Sequence, residues 1–287
     1  KRESRHSFAL AFLWINVLLL AGLGMALCFP VGPFAKIQLL AWAVFLHFPL
    51  LLAGMALVFY RRKRNLSLLC LVALFGVMAI GIDAFLIEPH WLKLTRVTIS
   101  SDKVEEPFRI TVIADIQTDS PGDYELRALK RAMAERPDLI LLAGDYLQTM
   151  GQEEYETARE HFRSLLRQAA LSAPLGVFAI GGNVDGNHWP ELFEGFAVHC
   201  FESTSSVDLG PIVLTGLALE DSYDAHLNVE GREKFHIVLG HSPNFSLGRV
   251  EGDLLIAGHT HGGQCQLPRL GPLLRSEERR VGKECFV

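Results

Sequence analysis

The apolar positions of the chain are concentrated at its amino-terminal end, where they form three long runs. The runs are Phe8–Phe29, Ile37–Tyr60 and Leu66–Ile87. Each exceeds the roughly 20 residues that a helix needs to cross the hydrocarbon core of a bilayer. A buried helix could mimic one run, and a cleaved signal peptide has a shorter apolar region with no further spans behind it. We therefore predict a membrane region in residues 1–89 with three transmembrane helices.

Charges between these runs predict how the spans are oriented. The loop Arg61–Asn65 carries four basic residues, Lys1, Arg2 and Arg5 precede the first run, and Lys36 is the basic residue between the first two. Positively charged loops stay in the cytoplasm. The sequence therefore predicts a multi-pass protein of the cell membrane with everything after the third span outside the cytoplasm.

Three polar residues interrupt the spans, namely Gln38, His47 and Asp83. Ionisable groups inside a membrane are by default functional candidates. Because Asp83 is near a span end and His47 has no evident partner in the sequence, we interpret both as structural.

From His90 onward, short apolar runs alternate with amphipathic stretches, a pattern typical of an α/β domain. The pattern predicts helices over Tyr124–Glu135 and Glu153–Gln168. It predicts strands in LTRVTIS (Leu94–Ser100), FRITVIAD, RPDLILLAGD and PLGVFAIGGN, and over Pro211–Leu219, Phe235–Gly240 and Asp253–Gly258. We expect one domain over residues 90–274, a usual domain size.

Both ends of the chain are unusual. It starts at Lys1 without methionine, and Arg275–Cys285 reads RSEERRVGKEC, which resembles the translation of a common sequencing adapter. We therefore predict that residues 275–287, like a tag, are not part of the folded domain. The expectation is a fragment whose second sheet lacks its last strand and is unstable for that reason.

Side chains that can bind metal follow five of the predicted strands. Neutral imidazole and carboxylate are common metal ligands, and α/β folds bind ligands at the carboxyl ends of their strands. Any one of these residues could instead cap a turn, but five such strand ends together favour a shared site. The residues are Asp115 and Gln117, Asp145, Asn183 and Asp185, His241, and His259 with His261.

The motifs D-x-[HQ], GD, GN-x-[DE], GH and GHTH, in this order, resemble the calcineurin-like metallophosphoesterase superfamily. The resemblance covers Phe108 to about Pro272, and GHTHGGQ followed by LPRLGPLL is similar to its membrane-attached bacterial branch. It implies a two-sheet αββα sandwich with two metal ions at the strand ends. It also implies hydrolysis of a phosphodiester, pyrophosphate or phosphomonoester by a hydroxide that bridges the two metals.

The resemblance also implies a ligand for each motif position. The first metal would be held by Asp115, Gln117 and His261, the second by Asn183, His241 and His259, and Asp145 would bridge them. Asp145, Asn183 and His241 would thereby take part in catalysis. The expected cofactors are two divalent ions, with Mn²⁺ favoured and iron, Zn²⁺ or Mg²⁺ as alternatives.

Two positions depart from the family pattern. Gln117 stands where many members have histidine, and its carbonyl oxygen shifts the preference toward harder ions such as Mn²⁺ or Mg²⁺. Val184 stands where many members have the histidine that protonates the leaving group, a contribution of about 10²–10⁴-fold. His188 could replace that acid or could be an ordinary loop residue. Asp185 is expected to orient a ligand histidine.

Other features narrow the class of protein. His199–Cys200 suggests zinc, but no second pair at ligand spacing accompanies it; Cys200 and Cys265 could be bonded or free. The net charge of −5 without a basic stripe argues against nucleic-acid binding. We expect a membrane-anchored phosphoesterase that acts on a phosphate-containing substrate. Because the domain would lie close to the membrane, a lipid-linked phosphate is one candidate for that substrate. The alternative is a degenerate domain that senses metal or ligand without turnover.

Overall fold

A computed structural model describes residues 12, 14–17, 19–25, 28, 39–87, 90–149, 151–261, 266–267 and 271–272. The chain divides into two compact units, Lys1–Thr95 and Arg96–Val287. The predicted adapter-like segment, residues 275–287, lies outside the described residues.

The first unit contains two long apolar helices. Helix α1 covers Leu39–Phe59 and includes a π-helical turn at Ala43–His47, and helix α2 covers Arg64–Ile87 and ends in a second such turn at Asp83–Ile87. Leu52, Ala56 and Cys70 pack between them, while most of their other apolar side chains point outward. By length and composition, both helices could cross a membrane. They correspond to the second and third predicted spans.

The first predicted span lies partly outside the described residues, although residues 14–17 and 19–25 are helical. Within it, Asn16 is buried, and its Oδ1 lies 2.7 Å from Nε2 of His47. The interpretation of His47 as a residue without a partner was therefore wrong. The sequence could not show this pair because 31 positions separate the two residues.

The second unit is built on two four-stranded sheets. The first has the order β1-β2-β3-β4 with all strands parallel, and the second has the order β10-β8-β6-β5 with only β5 and β6 antiparallel. Two short pairs, β7 with β9 and β11 with β12, are the other paired strands among the described residues. The strands are β1 Ile110–Ile113, β2 Leu139–Leu142, β3 Val177–Ile180, β4 Val198–Phe201, β5 Ser205–Asp208, β6 Ile212–Gly216, β7 Asn228–Val229, β8 Phe235–Gly240, β9 Arg249–Val250, β10 Leu254–Ala257, β11 Gln266–Leu267 and β12 Gly271–Pro272.

Alternating side chains of the central strands fill two apolar layers. Leu139 and Leu141 of β2 face a layer shared with Ile237 and Leu239 of the second sheet, so this layer joins the two sheets. Leu142 points the other way, toward helices α3 (Asp123–Ala134) and α4 (Gln152–Ala169). Such uninterrupted apolar strands are typical of parallel sheets covered on both faces. The prediction of an α/β domain is confirmed.

Shorter helices lie elsewhere in this unit. Helix α5 covers Leu219–Tyr223, and 3₁₀ turns cover Trp189–Phe193 and Pro243–Leu247. Phe245 of the last turn packs with Leu217 and Val238 on the outer face of the second sheet. In chain order, these elements connect β3 to β4, β6 to β7 and β8 to β9.

One strand predicted from the sequence was wrong. Residues 94–100, predicted as a strand, have no strand pairing in the part of the chain that the structure describes, and Val97 and Ile99 are exposed. Conversely, β4 and β5 were missed because their polar residues hide the strand pattern. His199–Cys200, considered for zinc, lies within β4 at the edge of the first sheet.

Candidate metal centre

The loops that follow five strands meet at one edge of the two sheets, and backbone hydrogen bonds join four of these loops in two pairs. The amide of Asp115, after β1, donates to Gly144 O (3.1 Å), and the amide of Gln117 donates to Asp145 O (2.8 Å). The amide of Gly258, after β10, donates to His241 O (3.0 Å). The loops after β1 and β2, and those after β8 and β10, are thus held side by side with their polar residues.

Backbone conformation marks the same residues. Positive φ is uncommon for residues other than glycine and costs free energy, so it persists only where the surrounding structure requires it. In the part of the chain that the structure describes, seven such residues have positive φ, and five of them are predicted metal ligands. These five are Asp115 (52°), Gln117 (43°), Asp145 (58°), His259 (69°) and His261 (47°).

The side chains form two groups that share one residue. Donor atoms of Asp145, His241 and His259 all lie within 4.8 Å of one another, and so do those of Asp115, Asp145 and His261. The shared residue, Asp145, is the one that the sequence assigned as the bridge. Carboxylate oxygens and imidazole nitrogens at this spacing are donors that suit a divalent transition-metal ion.

Asn183 and Gln117 complete the predicted ligand set in different ways. Oδ1 of Asn183 lies 3.0 Å from Nε2 of His241, so Asn183 adjoins the group of Asp145, His241 and His259. Gln117 is placed beside Asp145 by its backbone hydrogen bond, and its side chain remains a predicted ligand.

The buried pair of Asp145 and His241 lies at the base of the centre. The exposed fraction is 1% for Asp145 and 0% for His241. Nδ1 of His241 donates to the carbonyl of Ala143 at 2.8 Å, which directs Nε2 toward Oδ2 of Asp145 at 3.4 Å. Burial disfavours charge on both groups, but their mutual hydrogen bond and attraction outweigh it. The pKa of His241 is therefore raised and the pKa of Asp145 is lowered.

Asp115 provides an independent test of whether a cation fits. Its Oδ1 accepts a hydrogen bond from the amide of His259 at 2.8 Å. Its Oδ2 is buried, and no described residue donates a hydrogen bond to it. A buried carboxylate oxygen without a partner is costly. The donor set therefore fits a metal ion on the side of Asp115, Asp145 and His261.

Glycines allow the loops after β2 and β3 to approach each other closely. A Cβ atom on Gly182 would lie 2.1 Å from Oδ1 of Asp145 and 2.3 Å from its backbone nitrogen. Gly144 has a φ of +87°, and a Cβ atom there would lie 2.7 Å from the nitrogen of Gly182. Only glycine fits at these two positions.

Asp185 has a different part from the one expected. It was expected to orient a ligand histidine, but it accepts hydrogen bonds from the backbone amides of Asp145 (2.7 Å), Tyr146 (2.5 Å) and Gly182 (2.8 Å). The expectation was wrong because the carboxylate faces the backbone of the loop after β2. Asp185 thus fixes the loop that carries Asp145.

His188 is not among the residues that the structure brings together. Its side chain is 76% exposed, and its Nδ1 lies 2.9 Å from Oε1 of Glu191. Neither donor group contains it. The geometry supports the reading of His188 as a loop residue, and its role as an acid stays a prediction.

Tyr223, at the end of α5, was missed by the sequence analysis. Its Oη lies 3.2 Å from Oδ1 of Asn183 and 3.2 Å from both ring nitrogens of His259. It is the last residue of a short helix and does not follow a strand, so the pattern that predicted the other residues gave no signal for it.

Comparison with known proteins agrees with this geometry. The family model for calcineurin-like phosphoesterase matches residues 108–263. The chain is similar to the uncharacterized metallophosphoesterase YkuE of Bacillus subtilis, at 28% identity over 244 residues, which cover 75% of this chain and 83% of that protein. It is also similar to the phosphodiesterase YaeI of Escherichia coli, at 28% identity over 214 residues. These residues cover 67% of this chain and 76% of that protein. The chain belongs to the calcineurin-like phosphoesterase family, whose members are hydrolases that act on phosphoester bonds and typically bind divalent metal ions.

Proposed function

We propose that this chain is a membrane-anchored phosphoesterase that uses two divalent metal ions. The observation that carries the proposal is the position of Asp145, whose carboxylate belongs to both donor groups. A single carboxylate shared between two groups is the arrangement that a two-metal centre requires. When bound, such a pair of ions supplies an activated water and neutralises the phosphoryl oxygens during in-line displacement.

Each side chain then has a definite part. Asp145 would offset the repulsion between two cations, and its burial excludes water from the side of the centre that faces the protein interior. The hydrogen bond from His241 to Ala143 O keeps Nε2 free of a proton in the neutral ring and pointing into the centre. The proposed ligands are Asp115, Gln117 and His261 for one ion and Asn183, His241 and His259 for the other. Oxygen donors favour Mn²⁺.

The substrate is proposed to be a phosphodiester or a pyrophosphate, with a phosphomonoester as a poorer substrate. Val184 lies next to Asn183 and its amide donates to Oδ1 of Asp145 at 3.0 Å, but its side chain cannot protonate a leaving group. Substrates with good leaving groups depend least on such an acid. The name of the Escherichia coli relative, a phosphodiesterase, supports this choice.

The catalytic proposal is tested with bis(4-nitrophenyl) phosphate and added Mn²⁺. We expect turnover by the unaltered chain and its loss in Asp145→Asn. Asp208→Asn is the matched control, because Asp208 is exposed and pairs with Lys234 at the surface. Mn²⁺ binding without turnover of phosphodiesters, pyrophosphates or phosphomonoesters would favour the sensor alternative instead.

Membrane anchoring is proposed from α1 and α2, whose apolar side chains are mostly exposed. The loop between them and the start of α2 carry four exposed basic residues, which we expect to stay in the cytoplasm. These residues are Arg61, Arg62, Lys63 and Arg64. We expect a reporter fused after Ile87 to behave as extracytoplasmic and one fused at Arg62 as cytoplasmic. The reverse result would contradict the orientation.

Anchoring makes lipid-linked phosphates candidate substrates, because a catalytic domain on the same chain would meet them at the bilayer. The test compares lipid phosphodiesters and lipid pyrophosphates with water-soluble esters, using the full-length chain in vesicles. A clear preference for the soluble esters would contradict a lipid substrate while leaving the phosphoesterase proposal intact.

A further inference from the structure

Tyr223 stands on the open side of the centre. Asp145 and His241 are buried, whereas Asn183 and Tyr223 are exposed. A phosphate group can reach the centre where it is open to solvent, and the exposed side chains of Asn183 and Tyr223 border one such path. The hydroxyl of Tyr223, 3.2 Å from Oδ1 of Asn183 and from the ring nitrogens of His259, lies on that path.

The position of Tyr223 is fixed by its neighbours. Its ring meets the ring of His259 edge to face, with centroids 5.3 Å apart and an interplanar angle of 78°. The preceding residue, Ser222, is buried; its Oγ donates to Leu219 O and accepts from the amide of Ser242, which follows His241. Helix α5 is thus tied to the loop that carries a proposed ligand.

The chemistry of the open side identifies what this hydroxyl can do. Val184 offers no polar side-chain atom there, and Asn183, His241 and His259 are proposed to face a metal. A phenol hydroxyl is a neutral donor that forms a strong hydrogen bond to an anionic oxygen. In the structure it donates to Oδ1 of Asn183, and a phosphate oxygen is the better acceptor because it carries charge.

We propose that Tyr223 is a substrate-binding residue whose hydroxyl donates a hydrogen bond to a phosphoryl oxygen of the bound phosphoester. This inference rests on the proposed function, because it places the phosphate at the same centre. It assigns the hydroxyl to the phosphoryl group and not to the leaving group. Removing the hydroxyl should therefore slow the hydrolysis of esters with good leaving groups and of esters with poor leaving groups alike.

The test replaces the hydroxyl alone, in Tyr223→Phe, and measures binding without turnover. Calorimetry first gives the affinity for Mn²⁺, which should equal that of the unaltered chain. Titration of the Mn²⁺-loaded protein with inorganic phosphate should then show binding weaker by about 10- to 100-fold, the loss of one hydrogen bond to a charged group. Tyr155→Phe is the matched control, because the Tyr155 hydroxyl donates to the carbonyl of the loop residue His188.

Three outcomes would overturn the inference. Phosphate binding equal to that of the unaltered chain would show that the hydroxyl does not contact phosphate. Loss of Mn²⁺ binding in Tyr223→Phe would show that the residue serves the metal site or the fold. A fall in kcat/KM confined to poor leaving groups would assign the hydroxyl to the leaving group.

Failure of the proposed function gives a different result. An unaltered chain that binds Mn²⁺ and phosphate but hydrolyses nothing would contradict the enzyme, and the comparison of phosphate affinities would still decide the part of Tyr223. Conversely, an active Tyr223→Phe variant with unchanged phosphate affinity would contradict only the inference about Tyr223.

Discussion

The carboxylate of Asp185 accepts a 2.7 Å hydrogen bond from the backbone amide of Asp145, so one acidic residue holds the other in place. The same carboxylate accepts from the amides of Tyr146 and Gly182. Burial raises the pKa of Asp185, although these three hydrogen bonds act in the opposite direction. The buried carboxyl group of Asp185 thus accepts hydrogen bonds from the backbone amides of the turn that carries Asp145.

Asp185→Asn is expected to destabilise this turn. Both carboxylate oxygens accept from amides, so the NH₂ group of asparagine would face a backbone donor and leave it unsatisfied. The expected cost is about 1–3 kcal/mol of unfolding free energy, with weaker Mn²⁺ binding. Urea unfolding and calorimetry measure both. Asp208→Asn should cost much less unfolding free energy, because solvent screens the exposed ion pair of Asp208 with Lys234. An equal effect of the two changes would contradict the assignment.

Gly182→Ala tests the close contact between the loops after β2 and β3. The added methyl would meet both Oδ1 and the backbone nitrogen of Asp145, so Asp145 must move. Overpacking of this kind costs about 1–3 kcal/mol, and Mn²⁺ affinity and phosphodiesterase activity should fall together. Gly151→Ala is the control, because no atom lies within 4 Å of the added Cβ. Unchanged Mn²⁺ affinity in Gly182→Ala would refute this account.

The sequence predicted that the aspartates and histidines of the centre lie together, because each follows an apolar strand. Parallel strands that run in the same direction bring such residues to one edge, so chain order alone placed Asp115, Asp145, His241 and His259 together. This reasoning needs no knowledge of side-chain contacts. Such residues are therefore easiest to place from the sequence where the preceding strand is a continuous apolar run.

The same reasoning missed residues whose contacts depend on packing between distant elements. Tyr223 comes from a five-residue helix, and the target of Asp185 is a backbone turn 40 residues away. The strands β4 and β5 lie at sheet edges, where polar residues such as His199 and Ser205 are tolerated and the apolar alternation is lost. Neither the contacts between distant elements nor the position of a strand in its sheet can be inferred from neighbouring residues in the sequence.

His236 predicts a dependence of stability on pH. Its ring is buried with Nε2 2.7 Å from Oγ1 of Thr215, and burial lowers its pKa. Between the lowered folded-state pKa and the ordinary value, about 6.5, the unfolded chain binds a proton that the folded chain does not. Unfolding free energy should therefore fall as the pH drops below about 6.5, and stay level above it. Urea unfolding across this range measures it.

The control for this prediction is His236→Gln, which keeps a polar group near Thr215 but does not titrate. It should lose part of the decrease in stability below that pH, even if it is less stable throughout. A decrease as steep as that of the unaltered chain would show that other groups cause it.

Gln117→His tests the proposed first metal site. Histidine tolerates the positive φ of this position better than most residues do, so the backbone should not change. Replacing an oxygen donor by nitrogen should raise the affinity for Zn²⁺ relative to Mn²⁺ while activity is kept. Competition titration of the two ions measures the ratio. An unchanged ratio would show that the side chain at this position does not bind metal.

Val184→His tests whether the missing proton donor sets the preference among substrates. The amide of Val184 donates to Oδ1 of Asp145, and this backbone contact does not depend on the side chain. An imidazole placed there should protonate an alkoxide leaving group, which gains about 10²-fold or more in kcat. A 4-nitrophenolate leaving group needs no proton and should gain little.

The two rates are compared in Val184→His and in Val184→Ala, which changes the size of the side chain without adding a proton donor. Because the prediction concerns the ratio of the two rates, a general change in folding or metal content cancels. A gain of the same size for both esters would show that the leaving group is not protonated from this position.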